Sequence, residues 1–114
     1  MRVLICGGRD FSDHKLMIKT LLDIHEETPI TCIIHGAASG ADTLARNFAH
    51  FMAIPVESYP ADWDKYKKAA GPIRNTKMLK EGKPEIVIAF PGGRGTADMI
   101  KQARESYVPV MEIR

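Results

Sequence analysis

Apolar positions along the chain fall into five short runs separated by stretches with helical spacing. The runs lie at residues 2–6, 30–35, 54–59, 85–90 and 108–113. Short, near-continuous apolar runs rich in β-branched residues read as strands buried on both faces. Pro55 and Pro109 place the third and fifth at sheet edges, since proline donates nothing to a ladder. Between the runs, Leu16, Met17, Leu21, Leu22 and Ile24 give one helical face, introduced by Ser12 or Asp13 as N-cap and ended at Thr28-Pro29. Ala41, Leu44, Ala45, Phe48, Ala49 and Met52 give a second, at i, i+3, i+4, i+7, i+8 and i+11. Gly71-Pro72 opens a third, short helix that closes with Gly82 and Pro84. A fourth covers residues 97–104 and ends near Ser106. Residues 60–70 carry two aromatics, Trp63 and Tyr66, among charges and read as an irregular loop across the strand ends.

The order β-α-β-α-β-α-β-α-β, without linker or repeat, predicts one domain over 1–114. Its fold class is α/β: a Rossmann-like, doubly wound parallel sheet of about five strands with helices on both faces and right-handed crossovers. Ligands of such sheets lie beyond the C-terminal strand ends, where strand order reverses. The first and fourth strands are expected to flank that point.

Three small-residue turns follow strands. They are Gly7-Gly8-Arg9-Asp10, Gly36-Ala37-Ala38-Ser39-Gly40-Ala41-Asp42 and Pro91-Gly92-Gly93-Arg94-Gly95-Thr96. The last carries most information. Glycines allow close backbone approach, a helix start offers unpaired N–H groups and partial positive charge, Thr96 adds a hydroxyl and Arg94 a full charge. Phosphate or carboxylate is the natural guest; one glycine alone would be read as a turn requirement. The predicted ligand site therefore takes in Gly7, Gly8, Arg9, Gly36, Ser39, Gly40, Asp42, Arg74, Asn75, Gly92, Gly93, Arg94, Gly95 and Thr96. Arg74 and Asn75 join it as a phosphate clamp in a first helical turn. Asp42 can hold the N–H groups of its own turn or accept ribose hydroxyls, and the first reading is favoured. Trp63 and Tyr66 can stack on a base or pin the connection to the core. Arg9 and Asp10 pair with each other or rim the pocket.

Composition changes this picture little. An apolar fraction of 45% and a charged fraction of 26% are those of an ordinary globule. The net charge of +2, with no Lys/Arg stripe, argues against a nucleic-acid partner. No stretch approaches the ~20 apolar residues of a membrane span, so a cytoplasmic location is expected. Cys6 and Cys32 lie in apolar runs and read as buried free thiols. No Cys or His spacing fits a metal, and of the four histidines only His35, at a strand end, is near the expected pocket.

Pro91-Gly92-Gly93-Arg94-Gly95-Thr96 resembles the Pro-Gly-Gly-x-Gly-Thr signature of the LOG phosphoribohydrolases, and Arg74-Asn75-x-x-Met78 resembles their Arg-Lys-x-x-Met segment. Residues 36–45 resemble the glycine turn of the DNA-processing protein DprA. With Cys-Gly-Gly-Arg-Asp at 6–10, Pro-Ala-Asp-Trp at 60–63 and Ala-Ala-Gly-Pro-Ile-Arg-Asn at 69–75, the whole chain is similar to the DUF2493, or YspA-type, branch of the SLOG superfamily, small bacterial and phage proteins related to cpYpsA. The resemblance implies a nucleotide-type ligand, such as NAD, ADP-ribose or a nucleoside phosphate, in a binding or sensing role. It also implies a homodimer, because LOG relatives complete their pocket with a neighbouring subunit. The alternatives are an N-glycosidic hydrolase and, more weakly, DprA-like binding of single-stranded DNA. The LOG catalytic pair carries over as Arg74 and position 99, where Met99 replaces the glutamate. A thioether supports no charge build-up on a sugar, so LOG-type turnover is doubtful and Asp98, one residue away, is the substitute candidate. No further cofactor is implied.

Overall fold

A computed structural model describes all residues, Met1–Arg114. Five parallel strands, β1 (Arg2–Cys6), β2 (Cys32–His35), β3 (Val56–Ser58), β4 (Ile86–Ala89) and β5 (Val110–Glu112), form one sheet in the order β3-β2-β1-β4-β5. The helices are α1 (His14–Glu27), α2 (Ala41–Phe51), α3 (Trp63–Tyr66), α4 (Ala70–Gly82) and α5 (Arg94–Glu105). The strand order reverses between β1 and β4, and the proline-bearing strands β3 and β5 are the edges.

Alternation along β1 sorts the two faces. Val3 and Ile5 turn to one side, against Met17 and Leu21 of α1 and Ala45, Phe48 and Ala49 of α2. Leu4 and Cys6 turn to the other, against Met78 of α4 and Met99 and Ala103 of α5. Both faces of the central strands are therefore covered, which explains why their sequences carry no polar alternation.

β2 to β5 are shorter than their apolar runs, because pairing stops where the flanking proline or turn leaves the ladder. Asp13 is the N-cap of α1 and accepts from the Leu16 N–H at 3.0 Å. Residues 60–70 depart from the expected loop. Asp62 caps a four-residue helix, α3, by accepting from the Lys65 N–H at 3.1 Å, and a 3₁₀ turn over Lys67–Ala69 leads into α4. Asp62 is a residue type that favours a helix N-cap. At the end of α4 the left-handed residue is Lys83, not Gly82, whose missing side chain instead leaves room for Ile34 of β2. The third glycine turn's last residues, Arg94, Gly95 and Thr96, are already the first turn of α5.

Candidate functional site

Three strand ends and their turns converge on one cleft of about 790 Å³ over the C-terminal ends of β1 and β4. Its walls include Gly7, Gly8, Arg9, Asp42, Arg74, Asn75, Gly92, Gly93, Arg94, Gly95, Thr96 and Asp98, with Ile5, Phe11 and Met78 as apolar floor. A smaller chamber of about 320 Å³ adjoins it, formed by Gly36, Ala37, Ser39, Pro60 and Ala61. Arg9, Ala38, Trp63 and Arg74 border both.

The glycines divide into two groups. A side chain at Gly7 would strike Ala41, one at Gly92 would strike the Thr96 hydroxyl and the Gly8 backbone, and one at Gly36 would strike the Arg74 guanidinium. These are packed turns. Gly40 has φ of 72° and lies against the carbonyls of Gly8 and Arg9, so it holds the first two turns together and does not line the cleft. Gly93 and Gly95 differ: a Cβ on either meets nothing within 4 Å, although both line the cleft. The fold places no steric demand for glycine there.

Gly93 is the N-cap residue of α5, and the first backbone bond of the helix start is Ala97 N–H to Gly93 C=O. The N–H groups of Arg94, Gly95 and Thr96 precede it and have no intrahelical acceptor. Thr96 lines the cleft at only 8% exposure, and its hydroxyl makes no hydrogen bond to the protein.

Opposite them, Arg74 and Asn75 form a bridge across the switch point. Arg74 donates Nη1–H to the Gly36 carbonyl at 2.7 Å and Nε–H to Asn75 Oδ1 at 3.0 Å. Asn75 donates Nδ2–H to the Gly95 carbonyl at 3.2 Å and to Asp98 Oδ2 at 3.0 Å. Gln102, one turn along α5 from Asp98, donates to the same carboxylate oxygen at 2.8 Å. Asp98 thus faces the cleft, fixed by two amides. Met99 faces the core at 0% exposure, beside Leu4 and Met78.

Asp42 accepts the N–H groups of Gly36 at 3.1 Å and Ala38 at 3.2 Å on Oδ2. Burial pushes its carboxyl up to about 6, against the N–H bond from Ala38 and the charge of Arg74. Arg74 is lowered in turn by its own burial, with Asp42 opposing and Arg9 reinforcing the effect. Burial pushes the Cys6 thiol on the cleft floor up to about 12, so it is neutral and no nucleophile at ordinary pH. Both cysteines are free and buried. His35 is 2% exposed and borders neither chamber. Its Nδ1 accepts from the Ala37 N–H at 2.9 Å, which fixes the neutral ring with Nε2–H donating to Ser58 Oγ at 3.0 Å. It supports Ala37, whose φ is 58°.

Four cations line the cleft, Arg9, Lys68, Arg74 and Arg94, and none is in an ion pair. Arg9 instead lies over the Trp63 ring, 5.2 Å from its centroid. Tyr66 turns away to pair with Lys65 at 5.0 Å and borders neither chamber. Lys68 and Gln102 were not singled out from the sequence. Lys68 lies in an unremarkable charge run, whereas Gln102 stands four residues after Asp98, a spacing that puts both on one helix face.

The family model described as YAcAr, the YspA, cpYpsA-related SLOG family, matches residues 1–66. The Gene 61 protein of Mycobacterium phage D29 is 34% identical over 118 aligned positions, which cover 96% of this chain and 94% of that protein. Among solved structures, DNA processing protein A (DprA) from Streptococcus pneumoniae superposes with a TM-score of 0.79 at 21% identity, covering 99% of this chain. UDP-GlcNAc 2-epimerase from Neisseria meningitidis, bound to UDP-GlcNAc, superposes with a TM-score of 0.59 at 19% identity, again over 99% of this chain. The chain spans 50% of the former and 32% of the latter, and at these identities the likeness is one of fold. No helix is long and apolar enough to cross a membrane.

Proposed function

The chain belongs to the YspA, cpYpsA-related SLOG family, and from that premise we propose that it binds a nucleotide or nucleotide-derived ligand in the cleft between β1 and β4. The observation that carries the reading is the half-buried Arg74 guanidinium, without an ion-pair partner, in the same cleft as the unpaired N–H groups and open hydroxyl at the start of α5. A half-buried cation and a helix N-terminus both favour an anion. A phosphate there receives backbone N–H bonds from Gly95 and Thr96, the Thr96 hydroxyl, and charge from Arg74 and Arg94. The open space over Gly93 and Gly95 supports the same placement, since any other residue would fill it.

Calorimetric titration with AMP, ADP, ADP-ribose and NAD tests the proposal. Binding to the wild type, and its loss in a folded Gly95→Val protein, is the expected result; equal affinity in the two would refute it. Light scattering at twice 12.7 kDa is the companion expectation for a homodimer.

One observation favours a second reading, N-glycosidic hydrolysis. Asp98 presents a fixed carboxylate to the cleft beside the proposed phosphate position. Turnover would then rest on Asp98, with Arg74 holding the phosphate.

A further inference from the structure

Trp63 is not a core residue. It belongs to neither hydrophobic core, the helix that carries it buries no residue, and it is 45% exposed. An aromatic that pins a connection is buried by it; this one stands at the border of the two chambers. Its edge comes near α4 above Gly71, where an added Cβ would lie 3.5 Å from the ring. Arg9 covers part of the indole and itself lines the main cleft.

We propose that Trp63 is the platform for the base of the ligand, and that the ligand is a nucleoside diphosphate or an ester of one. This rests on the phosphate reading above. The two ends of the site lie beyond β2 and β4, which flank β1 and are therefore roughly 10 Å apart. A base at Trp63, on the β2 side, reaches the start of α5, on the β4 side, through its ribose and a phosphate chain. Arg9 and Arg74 border both chambers and meet the chain midway, and the first turn of α5 takes its far end. A diphosphate uses both sets of donors; a monophosphate reaches one of them. The Arg9–Trp63–base arrangement keeps the cation against the ring while the base uses the remaining exposed surface, as arginine and bases commonly share aromatic faces.

Trp63 is the only tryptophan, so its emission reports the event directly. Pyrophosphate, AMP and ADP are titrated against the full chain by calorimetry and by tryptophan fluorescence, with Trp63→Ala and Trp63→Phe alongside. Thermal melting checks that both variants fold. The expected result is that ADP quenches Trp63 and binds at least tenfold more tightly than AMP or pyrophosphate. Trp63→Ala should weaken ADP by about tenfold to a hundredfold with pyrophosphate unchanged, and Trp63→Phe should restore most of the loss. Pyrophosphate that binds while ADP gains nothing and leaves the emission unmoved overturns the stacking proposal, and AMP binding as tightly as ADP overturns the diphosphate assignment. Failure of both pyrophosphate and ADP to bind overturns the phosphate reading on which it rests.

Discussion

Arg74 and Asn75 are neighbours in sequence, and the Nε–H of the first donates to Oδ1 of the second at 3.0 Å. Through that bond the Gly36 turn and the start of α5 are joined across the switch point, because Arg74 also holds Gly36 and Asn75 also holds Gly95. The bridge orients a guanidinium without neutralising it. Arg74→Met should therefore weaken ADP by roughly tenfold to a hundredfold, the range for a hydrogen bond to a charged group, and should lower stability by about 1–3 kcal/mol because the Gly36 carbonyl and Asn75 Oδ1 lose their donor. Calorimetry and thermal melting together check this; unchanged affinity would remove Arg74 from the ligand site.

Gly95 sets stability against binding. It occupies the first turn of a helix with free space where a Cβ would be. Gly95→Ala should raise unfolding stability by about 0.5–1 kcal/mol through helix propensity. The same methyl should lower nucleotide affinity by intruding on the close approach. Urea denaturation and titration of one protein sample read both effects.

Asp98 and Met99 give opposite expectations for chemistry. Negligible hydrolysis of AMP is expected from the unmodified protein, and Asp98→Asn should remove whatever turnover exists. Met99→Glu should not create activity, because position 99 faces the core, and it should destabilise the fold by several kcal/mol through burial of a carboxylate. Robust release of adenine from AMP, lost in Asp98→Asn, would place the protein among the hydrolases.

Asp42 predicts an inverted pH dependence. Its carboxyl is raised from 3.8 to about 6 in the folded protein, so between those values the folded state binds the extra proton. Stability from this group is present at low pH and is lost as pH rises from about 4 to 6, by at most ~3 kcal/mol. His35 acts in the other direction: burial lowers its pKa, so its contribution is present above the ordinary histidine range and falls as pH drops through that range. The difference between wild type and Asp42→Asn isolates the carboxyl. Asp42→Asn should be the more stable of the two at pH 7.5, with the gap closing toward pH 4, as thermal melts across that range will show.

Much of the fold was legible because the buried central strands and the heptad-like spacing in α2 are direct consequences of burial on a sheet. The switch point between β1 and β4 was legible from the glycine turns at those strand ends together with the alternation of strands and helices. The glycine turns were legible as a group, but not their separate tasks. Gly40 and Gly92 answer to backbone and hydroxyl contacts with residues distant in sequence, and nothing local separates them from Gly93 and Gly95. Met99 against Asp98 was a matter of helix rotation, which a single residue of uncertainty in the start of α5 leaves open. What resolves it is packing: Met99 is buried beside Leu4 and Met78, and Asp98 accepts from Asn75 and Gln102.

The central strand has a delayed partner. Val3 pairs with Ile33 on one side and with Ile86 on the other. During synthesis the first of these emerges well before the second, by about 3 to 10 seconds at ordinary elongation rates. Throughout that interval the half-sheet of β1, β2 and β3 has an open, apolar ladder edge, able to pair with another nascent chain. Slow codons placed between β3 and β4 should therefore raise the insoluble fraction of the product.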